Sequence, residues 1–373
     1  MKEEATPRVS GRRYLAPPAP PIRPIMAPLP RAALLLILAL LAVGVLAPAA
    51  GARDLANPLL LLTPPAPGAS ALSGAHFFVD QEYGLAARQV RYWRRHGRRQ
   101  SAQVLEKIAR EPETKRFGPW TPGIHAAVRR LLIREDRQAP GTVPLLAVYR
   151  LRHERCGGYD AGGSRDAAQY KRWIEGFASG LGSHRAVVFL EQDAIITSGC
   201  LSGRALHARM TLLRYAIRRL ARLPRAAVYL DAGAADALSV GRTVHLLKLA
   251  GVGGAQGFFL NSTHFDWTAR EVGYGQAISA RLGGQHFIVS TAANGRGPLV
   301  PHSRVRYGNE ILCNPPGRAL GPRPTTYTGV AQIDGFFWIG NAGRSGGACR
   351  PGAPPTGAWW PEYALGLALR AAY

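Results

Sequence analysis

Short β-forming runs alternating with helical patterns constrain this chain more than any other feature of its sequence. Seven such runs occur, at 76–80, 144–149, 186–191, 226–231, 257–261, 286–290 and 335–339. Amphipathic stretches such as 167–180, 205–223 and 240–250 lie between most of them. Strand–helix alternation implies a parallel sheet whose strands are joined by crossover helices. About seven units in roughly 300 residues predict an α/β fold, a single distorted β/α (TIM-like) barrel of about seven parallel strands. The alternative is an open doubly wound sheet. Its usual signature is missing, because no Gly-x-Gly-x-x-Gly follows the first strand and Gly251-Val-Gly-Gly254 has the wrong spacing.

The segment ahead of the barrel reads as an address. Residues 1–31 are rich in Pro, Ala and Arg (Arg8, Arg12, Arg13, Arg23, Arg31), and an apolar run over 32–47 follows, ended by Pro48. A basic flank, a short apolar core and small residues after it describe a secretory signal over 1–52. The run falls short of the roughly 20 residues of a spanning helix. An uncleaved signal anchor is the alternative, and it is the one membrane attachment the sequence leaves open. Residues 53–72, with Pro58, Pro64, Pro65 and Pro67, read as a linker or lead-in segment, and 73–373 as the barrel. The expected location is therefore secreted, where four cysteines can pair.

Lys and Arg number 47 against 23 Asp and Glu, a net charge of +24. Such a field favours anionic neighbours. Arg88, Arg91, Arg94, Arg95, Arg98 and Arg99 fall in one helical stretch and read as a solvated face. No nucleic-acid motif accompanies them, so no nucleic-acid partner is expected. No Cys-x-x-Cys or Cys/His cluster has zinc spacing, and neither a metal nor a cofactor is expected. The chain is read as a monomer.

In a β/α barrel the chemistry sits at the C-terminal ends of the strands. This sequence places Asp80, Glu191, Asp193 and Asp231 there. Carboxylates facing one cleft suit glycoside hydrolysis, where one protonates the leaving oxygen and another helps water attack the sugar. Strand-end acids also serve as caps and loop anchors, so the pattern alone is a weak signal.

At these strand ends the sequence resembles glycoside hydrolase family 6, the inverting endoglucanases and cellobiohydrolases. Val187-Val-Phe-Leu-Glu-Gln-Asp193 is similar to the family's Val-Val-x-x-Glu-Pro-Asp, and Tyr229-Leu-Asp-Ala-Gly233 to its Tyr-Leu-Asp-Ala-Gly. Gly257-Phe-Phe-Leu-Asn261, Cys313-Asn-Pro-Pro-Gly-Arg-Ala-Leu-Gly321 and Trp359-Trp-Pro-Glu-Tyr363 match further blocks in the same order. The resemblance covers roughly residues 74–373. It implies a barrel of fewer than eight strands, cleavage of β-1,4-glucosidic bonds in a polysaccharide, and Asp193 as general acid. It also makes Asp231 the carboxylate that orients the acid or stabilises charge at the cleaved sugar. Tyr149 falls in the slot that presses on the sugar. Asn261 and Asn294 stand where they reach sugar hydroxyls or satisfy loop backbone, and Trp338 is a sugar platform or core. The family's pattern pairs Cys156 with Cys200 and Cys313 with Cys349.

Several positions depart from the pattern. Glu154-Arg155-Cys156 stands where the family reads Arg-Asp-Cys. Gly340, Arg344 and Gly346 replace a Lys, a Glu and an Asp that line the sugar site, and Ala234 and Ala237 replace a His and a Trp. These changes remove carboxylates and aromatic rings and add cations. Three readings share the pattern: a secreted β-glucanase with Asp193 as acid, a sugar-binding pseudoenzyme, and a hydrolase retuned to an anionic glycan.

Overall fold

A computed structural model of the chain describes residues 70–151, 163–300, 312–340 and 342–373. The leader over 1–52, nearly all of the segment 53–72, and Glu154, Arg155 and Cys156 lie outside the described residues. Among those described, no helix is long and apolar enough to cross a membrane.

Seven parallel strands run in sequential order: β1 (Lys115–Phe117), β2 (Leu145–Val148), β3 (Ala186–Leu190), β4 (Ala226–Asp231), β5 (Gly257–Leu260), β6 (His286–Ser290) and β7 (Ile333–Phe337). β1 and β7 are not neighbours in this order, so the sheet is a curled half-barrel that does not close on itself. Most strands read as nearly continuous apolar runs because both of their faces are covered. Ala147, Phe189, Tyr229, Phe259, Ile288 and Phe337 pack together inside the curl. Val148, Leu190, Leu230, Phe258 and Val289 alternate with them and pack under the helices.

The crossover helices are α3 (Ile124–Gln138), α4 (Ala167–Leu181), α5 (Gly203–Leu220), α6 (Val240–Ala250) and α7 (Thr268–Arg281). Asp166, Ser202 and Ser239 begin α4, α5 and α6 by accepting a hydrogen bond from the third backbone N–H of each helix. Before the sheet come α1 (Leu85–Arg95) and α2 (Arg99–Ala109), and α8 (Pro361–Leu369) follows it. These three enclose a second core around Trp93, Leu105, Trp338 and Leu367.

The curl is pinned from inside. Tyr229 on β4 donates its hydroxyl to Asp334 Oδ2 on β7 at 2.5 Å, and His286 Nδ1 lies 2.7 Å from Asp334 Oδ1. Two strands separate β4 from β7, so this contact exists only in a bent sheet. The rings of Phe189 and Phe337, on β3 and β7, are 6.4 Å apart for the same reason.

Two expectations are corrected here. The run 76–80 is not a strand of the sheet. Only Phe77 makes a parallel bridge, to Val143, and its ring meets Phe337 edge-on at 4.8 Å. The first strand is instead Lys115–Phe117, three residues without an apolar run to announce it. The arginine-rich stretch 88–99 is not one helix either. It breaks between α1 and α2 at Gly97, whose φ of 77° suits a residue without a Cβ.

Candidate active site

Asp193 and Asp231 come together at the C-terminal ends of β3 and β4. Glu191 and Asp193 have φ values of 55° and 65°, and Asn261 at the end of β5 has 64°. Non-glycine residues are uncommon in this left-handed region, and such residues gather where a site must hold a fixed geometry. The turn at Asp193 is fastened by Thr197, whose N–H and hydroxyl both donate to its carbonyl, at 3.0 and 2.5 Å. Arg209 of α5 holds the same turn by donating to the Ala194 carbonyl and the Thr197 hydroxyl.

Asp193 is half-buried, and Thr263 from the loop after β5 donates to its Oδ1 at 2.6 Å. Asp231 is fully buried, with the Ile195 N–H 3.4 Å from its Oδ2. Burial, then the charge of Asp193, push the Asp231 carboxyl well above the usual carboxylate range, against the N–H groups of Gly233, Ile195 and Asp193. Two carboxyls this close resist carrying a charge at the same time.

Glu191 plays a different part. It is fully buried, and its Oε2 accepts from the N–H groups of Arg150 and Leu151, both at 2.9 Å. Burial raises its pKa to about 7 in spite of those bonds. It ties the chain leaving β2 to the end of β3. Asp80 is not at the end of a sheet strand. It caps the turn at Tyr83 and pairs with Arg134 of α3 at 3.0 Å.

A buried charged cluster sits beside this pair. His264 Nδ1 lies 2.7 Å from Asp236 Oδ1. Carboxylate oxygens of Asp236, Asp266 and Glu271 lie within 4.8 Å of one another. Burial works against a charged His264, yet its bond to Asp236 and the charges of Asp236, Asp193 and Asp266 leave its pKa raised. Burial and the Asp266 and Asp236 charges push Glu271 well above its usual range, against the bond from the Ala235 N–H. Sequence reasoning missed Thr263, His264 and Asp236. Their only signal was position, on the loops that follow β5 and β4.

The remaining candidates divide. Tyr149 follows β2 with its ring 6.0 Å from that of Trp120, and it lines the main cleft. Asn261 spends its amide on the loop, donating to the carbonyls of Asp266 and Ser290 and accepting from the Asp266 N–H. Asn294 donates to the Asp266 carbonyl and the Thr268 hydroxyl, while its Oδ1 is buried without a hydrogen bond. Trp338 is 3% exposed and donates its Nε1–H to the Pro322 carbonyl, so it belongs to the core. Cys313 and Cys349 form a disulfide with Cα atoms 6.2 Å apart. The Cys156–Cys200 pairing lies outside the described residues.

The cleft has a volume of about 690 Å³. Lys115, Arg116 and Phe117 of β1 line one side, and Arg344 and Gly357, beyond β7, line the other. It thus lies between β1 and the segment beyond β7. Trp120 stands in it 56% exposed. Arg344 pairs with Glu113 there. Gly340 is pressed on by the Ser262 carbonyl, which lies 2.3 Å from where a Cβ would stand. Gly346 has room, with its nearest neighbours at ordinary contact distance.

The family model of glycosyl hydrolases family 6 matches residues 72–371. Endoglucanase A of Cellulomonas fimi is 38% identical over 268 residues, 72% of this chain and 56% of that protein. Endoglucanase 1 of Streptomyces halstedii is 33% identical over 275 residues, 71% of this chain and 80% of that protein. The chain thus spans little more than half of the Cellulomonas enzyme. Among solved structures, the endoglucanase Cel6 of Mycobacterium tuberculosis, in complex with methyl-cellobiosyl-4-deoxy-4-thio-β-D-cellobioside, superposes with a TM-score of 0.72. It is 36% identical, with 81% of this chain and 99% of that one covered.

Proposed function

The chain belongs to the glycosyl hydrolases of family 6, and from that premise we propose that it hydrolyses β-1,4-glucosidic bonds of cellulose or a related β-glucan with inversion. Asp193 acts as the general acid. The observation that carries this reading is the Asp193–Asp231 pair, a half-buried carboxyl beside a fully buried one, two groups that resist being ionised together. With Oδ1 of Asp193 engaged by Thr263, the transferable proton is carried by Oδ2 and passes to the glycosidic oxygen as the bond breaks. Water attacks C1 from the opposite face of the sugar as the glycosidic bond breaks, and its proton passes to solvent. Trp120, exposed, offers its ring to a pyranose face, and the buried Tyr149 ring backs it.

Residues 1–52 serve as a secretory leader and 53–72 as a lead-in to the barrel, so the enzyme works outside the cytoplasm as a monomer on polysaccharide. The Cys313–Cys349 disulfide supports an oxidising location.

The test is release of reducing ends from a soluble β-1,4-glucan by the full chain with disulfides formed, with Asp193→Asn as the control. Proton NMR of the first product formed should show the α-anomer. A folded protein without turnover, or turnover that survives Asp193→Asn, overturns the assignment.

A further inference from the structure

We propose that the cleft at the ends of β1 and β2 binds a β-1,4-linked glycan carrying carboxylate groups, with Arg130, Arg344 and Lys115 as the residues that recognise the charge. The proposal rests on the reading of this strand-end face as a glycan-cleaving site and narrows its substrate class.

Among the described residues, the cleft's lining includes five cations, Lys115, Arg116, Arg130, Arg134 and Arg344, and no carboxylate. Asp80 pairs with Arg134 and Glu113 with Arg344. Arg116 lies over the Tyr149 ring, 5.7 Å from its centroid. The cations also crowd one another. Burial, and the nearby charges of Arg344 and Arg134, lower the pKa of Lys115 even though Glu113 and Asp80 oppose the shift. An anionic ligand would relieve that repulsion.

The shape points to a sugar chain rather than to free anions. Trp120 stands exposed in the cleft with the buried Tyr149 ring behind it, 32° from coplanar, an apolar surface for a pyranose face. Guanidinium groups flank it, and their fork matches a carboxylate in two parallel hydrogen bonds. A neutral glucan offers such a rim only hydroxyl groups. Arg344 also stands where the resembling family carries an acid, which turns a repulsive wall into an attractive one.

The experiment is equilibrium binding to the full chain, with Asp193→Asn in the background to stop turnover and Trp120 fluorescence as a readout. Three ligands are compared: a cello-oligosaccharide, the same oligosaccharide oxidised to carboxylates at C6, and a single-stranded oligonucleotide of equal charge. At low salt (~0.05 M) the oxidised chain should bind at least about tenfold tighter than the neutral one. Raising salt to ~0.5 M should remove most of that advantage, because screening shortens the reach of exposed charges. Arg130→Gln, on an exposed face of α3, and Arg344→Gln should each cut the ratio severalfold.

Equal binding of neutral and oxidised chains overturns the proposal. So does an acidic preference that both substitutions leave intact, or equal binding of the oligonucleotide. Two failures separate cleanly. Turnover of neutral glucan without acidic preference sinks this inference and spares the proposed activity. Acidic preference in a wild-type protein that cleaves neither chain does the reverse.

Discussion

Thr263, on the loop after β5, donates its hydroxyl to Asp193 at the end of β3, 2.6 Å away. The bond reaches past β4 and fixes the carboxylate's direction across the mouth of the curl. Placement of that kind governs rate more than binding, since misplacement by about an ångström can cost around a hundredfold. Thr263→Val keeps the branched shape and removes the donor. It should lower kcat roughly ten- to a hundredfold with little change in KM, and Thr263→Ser should recover most of the loss. Steady-state kinetics on a soluble glucan decide the matter, and an unchanged kcat in the valine variant removes Thr263 from the mechanism.

Glu191 should make the fold less stable as pH rises. Its pKa is about 7 in the folded protein, against ~4.3 in an unfolded chain. Between those values the folded state holds a proton that the unfolded state has lost, so unfolding becomes easier with increasing pH. The loss amounts to roughly 4 kcal/mol across that window at ~1.4 kcal/mol for each pH unit. Glu191→Gln can accept the same two backbone N–H bonds and does not titrate. Denaturant midpoints measured from pH 4 to 8 should fall less in the variant than in the wild type. Parallel curves would show that Glu191 is already ionised.

The bridge from Tyr229 to Asp334 should hold the curl. Tyr229→Phe leaves a buried carboxylate oxygen without its donor, which costs about 1–3 kcal/mol. Asp334→Ala strands both Tyr229 and His286 and should cost more. Both losses can be read by chemical denaturation. A neutral Tyr229→Phe would mean that the apolar contact of Phe189 with Phe337 suffices to bend the sheet.

Sequence reading recovered the fold where the chemistry is periodic and lost it where the structure depends on distant neighbours. β2 to β6 announce themselves as apolar runs because both faces are buried, whereas Lys115-Arg-Phe117 forms a strand only because β2 offers it an edge. The run at 76–80 has strand composition but, among the described residues, makes a single bridge, from Phe77 to Val143, and sets the Phe77 ring against Phe337. The motif around Asp193 was visible, while Thr263 and the Asp236–His264 pair were not, since loop contacts leave no spacing to read. Gly340 shows the limit most clearly. The sequence reveals a glycine where the family has lysine, but not that the Ser262 carbonyl has closed the space. Gly340→Ala should therefore cost about 1–3 kcal/mol, and it should also slow turnover by shifting Thr263. A melting temperature equal to wild type would show that Ser262 yields freely.

Asp231 should help to hold the proton that Asp193 delivers. Its carboxyl is fully buried, faces the N–H groups of Ile195, Gly233 and Asp193, and has its pKa held well above the usual range by burial and by Asp193. Asparagine has the shape of a neutral acid and can still accept those bonds, so Asp231→Asn should stay within about 1 kcal/mol of wild type, while Asp231→Ala leaves buried donors unpaired and loses roughly 2–4 kcal/mol. Activity should respond differently from stability. The two carboxyls titrate as a unit, and in the asparagine variant the second acidic proton is gone. No neighbouring charge then resists departure of the proton that the leaving oxygen needs. The alkaline limb of kcat/KM should move to lower pH in Asp231→Asn, with the folded protein intact. If the limb stays in place, Asp231 supports the loop and takes no part in holding the catalytic proton.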